Sequence, residues 1–263
     1  MDGDTLGRTL VRYGCALALL AAPALAASAP LLLGPLPYAQ SSDSPFAGLT
    51  FTEYFHLEDF EDGALSTPGV TSTSGGFVVG PSPQTDSVDG DDGTVDGSGA
   101  GGHSFFSGFP GGTSVFTFEF DAIALGGLPT HVGIVWTDVG FANPDNGLGE
   151  VTFQAFDGLG VSLGLVGPSA VGDGSTFGET AEDRFFGAIS EGGIGRIVIS
   201  MAGSSDDWEV DHLQYGRTLA SVPEPGTLAL GLLAMAGFGS HRRQSRGQGR
   251  RPAAAPGRGP RAR

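Results

Sequence analysis

At 263 residues the chain is long enough for one large domain or two small ones, with a sizeable buried core. Gly 46 and Pro 17 make up about 24% of it, close to the composition of disordered chains, but 40% apolar residues and 18 Phe supply the burial that ordering requires. Charged residues are only 16%, lysine is absent and the net charge is −16, which excludes a coiled coil and a nucleic-acid-binding body.

The charge is unevenly placed. Between Pro30 and Ser221 there are 26 Asp/Glu against three Arg (Arg184, Arg196 and Arg217). Of the other Arg, Arg8 and Arg12 precede the first apolar run and eight lie at or beyond Arg242. An acidic body flanked by two ends that carry the positive charge is the signature of membrane targeting.

Residues 1–26 read as a secretory signal peptide. Arg8 and Arg12 form the basic start, although Asp2 and Asp4 weaken it; Cys15 to Leu25 is the apolar run, and Ala24-Leu25-Ala26 is the A-x-A cleavage site. Its removal takes away the one cysteine, so no disulfide staples the mature chain. Residues 27–48 are expected to be a linker, with Ala39 to Ser44 small and polar.

From residue 49 to 218 the pattern is that of an all-β domain. Val115 to Asp121 alternates, with Phe116, Phe118 and Phe120 on one face. His131 to Thr137 is apolar enough for a strand covered on both sides, and Glu150 to Phe156 alternates again. Further strands are predicted at Arg184 to Ile189, Arg196 to Met201 and Trp208 to Tyr215, with earlier ones within Leu49 to Phe60 and at Gly76 to Val79. Eight or more short strands separated by Gly/Asp turns such as Asp157-Gly158 predict a β-sandwich or jelly roll. The glycine-rich stretch Asp89 to Gly112 is expected to be a long loop.

Two acidic groupings carry the candidate chemistry. Asp86, Asp89, Asp91, Asp92 and Asp96 crowd one loop, which repels itself unless it is hydrated or holds a cation, and Ca²⁺ takes such carboxylates. Its spacing departs from the regular EF-hand order. The second grouping joins Glu58, Asp59, Glu61 and Asp62 to Glu209 and Asp211, which stand two apart on the last strand and share a face. Adjacent carboxylates favour a cation, an Arg partner such as Arg184 or Arg217, or a raised pKa. Glu61, Asp62, Asp89, Asp91, Asp92 and Asp211 are the candidate cation ligands. Trp208, beside Asp206-Asp207, is the candidate for stacking on a sugar ring, whereas Trp136 belongs in the core. His56, His103, His131 and His212 lack metal-ligand spacing, there is no G-x-S-x-G elbow, and no residue is assigned as catalytic.

Beyond the body, Val222-Pro223-Glu224-Pro225 precedes an apolar stretch, Thr227 to Gly239, and then Ser240-His241-Arg242-Arg243. The prolines favour an extended backbone that an enzyme can grip, the Leu/Ala run suits a short transmembrane helix, and the arginines hold its end on the cytoplasmic side. This order resembles the PEP-CTERM sorting signal of exported bacterial proteins, here spanning residues 219–246 with a basic, disordered tail at 247–263. The resemblance implies an exosortase-type membrane protease as partner, cleavage near Pro-Glu-Pro, transient anchoring in the membrane, and delivery to the cell surface or extracellular matrix. The tail is longer than in most such signals.

Three further likenesses concern the body. SVDGDDGTVDG, LPTHVGIVWTDVG, TAEDRFFG and DWEVDHLQYG are similar to a group of exported PEP-CTERM proteins with no assigned activity. FEDG and VDHLQY resemble carbohydrate-binding jelly rolls in which acids of the first and last strands share a structural Ca²⁺, implying a Ca²⁺-stabilised module that associates with extracellular polysaccharide. Glu209-Val210-Asp211-His212-Leu213-Gln214 resembles the E-x-D-x-x-E signature of laminarinase-like glycosidases. That alternative makes the protein a secreted carbohydrate-active enzyme using Glu209 and Asp211, but Gln214 stands where the acid/base belongs and cannot exchange a proton.

Overall fold

The computed structural model describes residues 28–88, 101–109, 112–139, 150–172, 182–201 and 207–219. The chain divides into two units, Met1–Thr218 and Leu219–Arg263, and the folded body is the first. Expectations for the signal peptide, for Asp89, Asp91 and Asp92, and for Val222, Pro223, Glu224 and Pro225 fall outside the described residues.

Alternating side chains on short strands can bury only one face, so they pair into sheets that close on each other. The first sheet contains β1 (Leu31–Pro37), β2 (Tyr54–Glu58), β4 (Phe77–Val79), β5 (Ser104–Phe106), β7 (His131–Val139), β10 (Arg184–Ile189) and β12 (Trp208–Arg217). Its order is β1-β10-β7-β12-β5-β4, with β2 also pairing β12. The second contains β3 (Val70–Ser72), β6 (Val115–Phe120), β8 (Glu150–Phe156), β9 (Ser162–Ala170) and β11 (Arg196–Met201), ordered β3-β6-β11-β8-β9. All these pairings are antiparallel. The body is the predicted all-β sandwich.

Phe116, Phe118 and Phe120 of β6 are buried against Trp136, Trp208, Val210 and Tyr215 of the facing sheet, forming the main core. A second, smaller core lies on the other face of the first sheet, where Val135 and Phe185 meet Tyr38, Phe46 and Val88. The expected linker at 27–48 is therefore part of the body. Leu31–Pro37 pairs β10 as an edge strand, a position that tolerates Pro35 and Pro37, and the following residues lie across the sheet. The expected loop at 89–112 likewise contains β5, which pairs both β4 and β12.

β12 positions the site. Its core-facing residues are Trp208 and Val210, then Leu213 and Tyr215, so the parity of burial changes midway. The change is made by a bulge: Asp211 pairs Val135 while Gln214 pairs Gly133, leaving one extra residue on β12. His212 takes the left-handed φ of 42° there. Glu209, Asp211 and Gln214 consequently alternate with core positions and face the second core, away from the sandwich interior.

Candidate metal centre

The outer face of β12 carries a buried polar row, covered by two segments of chain. Residues 82–88 lie over its first half. One Oε of Glu209 accepts the Asp86 backbone N–H at 2.8 Å and the Ser104 hydroxyl at 2.6 Å. One Oδ of Asp211 accepts the Val88 N–H at 2.8 Å and faces Ser87 Oγ at 3.1 Å, while the other accepts its neighbour's N–H, from His212, at 2.6 Å. The Thr137 hydroxyl donates to the Asp86 carbonyl at 3.1 Å, so that the strap is tied to β7 as well. Residues 38–46 lie over the second half. Ser44 donates to Gln214 Oε1 at 2.5 Å, Gln214 Nε2 donates to the Tyr38 hydroxyl at 2.8 Å, and that hydroxyl meets His212 Nδ1 at 2.9 Å.

Next to Glu209 the strap, β7 and the residues before β10 bring three more acids together. Asp86, Asp138 and Glu182 are all buried, and each offers a carboxylate oxygen within 4.8 Å of the others. Oxygens bound to one Ca²⁺ at about 2.4 Å can lie at most about 4.8 Å apart, so the spacing fits a shared ion. Burial pushes the Glu209 carboxyl up to about 8; the Ser104 and Asp86 hydrogen bonds oppose that shift, and the nearby Asp138 and Asp207 charges add to it. A group of buried carboxylates so close together repels itself unless protons or a cation offset the charge.

The residues singled out in the sequence are distributed differently. Glu61 and Asp211 come together through Ser87, whose hydroxyl lies 3.1 Å from an oxygen of each. Glu61 also accepts the His103 N–H at 2.5 Å and lies 3.2 Å from His103 Nδ1. Asp62 is exposed and accepts the Ala64 N–H at 2.9 Å, a local turn contact. Glu58 is buried and organises the next loop, accepting N–H groups from Phe60, Ser66 and Thr67 at 3.1, 2.7 and 2.8 Å. Trp208 is not presented to a ligand: its ring lies 4.0 Å from that of Phe116 in the core, and its Nε1 donates to the Thr113 carbonyl at 2.8 Å. Glu209 and Asp211 are buried acids rather than surface ones. Arg217 and Arg184 make backbone contacts, to Leu128 and Asp183 carbonyls at 2.6 and 2.7 Å.

Asp138 and Glu182 were missed by sequence reasoning, and Asp86 was seen only as part of a loop. A usable signal existed for Asp138: an acid inside a strand apolar on both faces, His131 to Val139, must itself be buried.

Residues 221–243 match the model of the PEP-CTERM protein-sorting motif. No curated protein and no solved structure matches the chain. The chain thus carries a PEP-CTERM sorting motif directly after an all-β sandwich, which marks it for export, exosortase processing and transient membrane anchoring before sorting to the cell surface.

Proposed function

We propose that the protein is a cell-surface or extracellular-matrix component whose acidic sandwich is a Ca²⁺-stabilised structural module associating with extracellular polysaccharide. The observation that carries this reading is the convergence of Asp86, Asp138 and Glu182 beside Glu209. These acids come from three separate stretches of chain, so an ion among them ties the 82–88 strap to β7 and to the approach to β10. A mature chain without cysteine gains from such a tie what a disulfide gives other exported domains. Extracellular Ca²⁺ sites work at roughly 10⁻⁴–10⁻³ M, a range suited to the destination that the sorting motif specifies.

The same geometry supports a structural role over a glycosidase. Glu209 and Asp211 lie under the 82–88 strap, with one Glu209 oxygen and both Asp211 oxygens engaged by Ser and backbone donors, and Gln214 is held between Ser44 and Tyr38. Thermal unfolding of the secreted protein in EDTA, Mg²⁺ and Ca²⁺ tests the reading. At Ca²⁺ near 100 times its Kd the gain is about 2.7 kcal/mol, or roughly 5–11 °C for a body of this size. Asp138→Asn and Glu182→Gln are expected to abolish that response. An unchanged melting temperature on moving from Ca²⁺ to EDTA would refute the cation role, and polysaccharide hydrolysis lost in Glu209→Gln would favour the enzyme.

A further inference from the structure

We infer that one end of the sandwich is a bilayer-docking surface, used while the chain is anchored through its sorting segment. Strand β12 ends at Arg217, where it pairs Tyr54 of β2, and the chain leaves the body at Thr218. The turn after β6, the turn after β8 and the segment before β2 lie at this same end. Their proximity is fixed by contacts: Arg217 donates to the Leu128 carbonyl at 2.6 Å, and Tyr54 donates to the Gly127 carbonyl at 2.7 Å. A side chain at Gly158 would strike Leu128, and the two turns border a single open cleft through Ala122, Leu128 and Gly158.

Both turns hold a large apolar side chain out into solvent. Ile123 is 92% exposed and Leu159 is 89% exposed, the two highest values for large hydrophobics among the described residues. They are built alike. In each, an aspartate two residues earlier accepts the N–H of the apolar residue: Asp121 from Ile123 at 2.7 Å, and Asp157 from Leu159 at 2.9 Å. Asp157 also accepts the Val161 N–H at 2.8 Å. The carboxylates thus satisfy the turn backbone, and the tip itself is greasy. On the outer face of the first sheet, where Phe55 pairs Gly216 near the end of β12, Leu49 and Phe55 are 46% and 40% exposed around a depression formed with Phe46 and Phe51. Two large apolar side chains held almost fully in solvent on adjoining turns mark an interaction surface.

The tether identifies the occupant as lipid. From Thr218 to the first apolar-segment residue, Thr227, is nine residues, a reach of at most about 32 Å. While the segment is in the membrane, this end of the body is held at high effective concentration beside the bilayer, so weak insertion of a few side chains suffices. The opposite end, where β12 begins, is roughly 30 Å further along the strand.

The inference rests on the anchored stage marked by the sorting motif, and the two are separable by experiment. The full chain, with Cys15→Ser, is reconstituted into phosphatidylcholine vesicles containing lipid spin-labelled near the headgroup. An environment-sensitive fluorophore is placed singly by Ile123→Cys, Leu159→Cys, Phe109→Cys or Leu232→Cys. Phe109 is the remote control, since the Asp207 N–H bonded to the neighbouring Gly108 carbonyl at 3.1 Å places it by the start of β12. Quenching at 123 and 159 at least about twofold above that at 109 is expected, and Leu49→Asp with Phe55→Asp is expected to reduce it. Quenching at 232 with none above control at 123 and 159 overturns the docking surface and leaves the anchoring intact. No quenching at 232 overturns both. Unchanged melting of the Asp variants confirms that the fold is retained.

Discussion

The second core, on the outer face of the first sheet, depends on a side chain that the sheet itself leaves room for. Gly133 on β7 lies beneath the ring of Phe185, and a methyl group added there would collide with the ring's far edge. That ring in turn carries the covering segment, stacking on Tyr38 at 6.1 Å and meeting Phe46 edge-on at 5.5 Å. Gly133→Ala should overpack the site and cost about 1–3 kcal/mol. Phe185→Ala should leave a cavity and cost about 3–5 kcal/mol, which lowers the melting temperature by roughly 6–20 °C. In the double variant the new methyl sits in the space the ring vacated, so the clash disappears. The expected coupling is favourable and about as large as the Gly133→Ala penalty. Urea denaturation of the four proteins measures it. Additive losses would show that the ring does not rest on Gly133, and the description of the outer core would be wrong.

Other consequences are more local. Because burial raises the Glu209 carboxyl to about 8 from an ordinary value of 4.5, the folded state holds a proton that the unfolded state has released across that window. Stability from this group is therefore full below about pH 4.5 and lost as pH rises through about 8, a total of order 5 kcal/mol in EDTA. Glu209→Gln, compared with the native protein at pH 5 and pH 9 by urea unfolding, should gain relative stability by about 4 kcal/mol at the higher pH; parallel profiles would contradict it. Glu58→Ala strands three backbone N–H groups and should cost about 3 kcal/mol, with faster amide exchange at residues 60, 66 and 67 as its signature. Trp208→Ala should cost about 3–5 kcal/mol through lost core packing, and a melting temperature within 2 °C of the native value would contradict its burial.

Strands whose sequence alternates or runs continuously apolar are legible because each residue's direction is set by period two. VFTFEF, EVTFQAF and RIVISM form at their expected positions, as do the strands at His131 and Arg184. Strand β1 was not legible, since LLLGPLP follows the apolar run Cys15 to Leu25 in the sequence and holds two prolines. It exists because an edge strand needs hydrogen bonds on one side only, and a bulge between Leu33 and Leu36 absorbs the irregularity. Strand β9, with Gly164, Gly167 and Pro168, is hidden for the same reason at the edge of the other sheet. The three-residue strands β3 and β5 are too short to show a period.

The candidate site was harder to read because nothing local joins its members. Asp86, Asp138 and Glu182 meet only through the order of strands, and no spacing in the chain encodes that order. The bulge in β12 did leave a trace. In WEVDHLQY the apolar positions are Trp208, Val210, Leu213 and Tyr215, and the shift from even to odd requires one extra residue between them. That shift puts Asp211 and His212 together on the outer face, where alternation alone would have returned His212 to the core.

The sorting motif at 221–243 governs every statement about where the sandwich operates, and intact-mass analysis of the chain recovered from outside the cell tests it most directly. The expected mass corresponds to a polypeptide that has lost its leader and ends near Val222 to Pro225. Recovery of a surface-located form that still carries Arg263 would contradict exosortase processing and would leave the body permanently tethered.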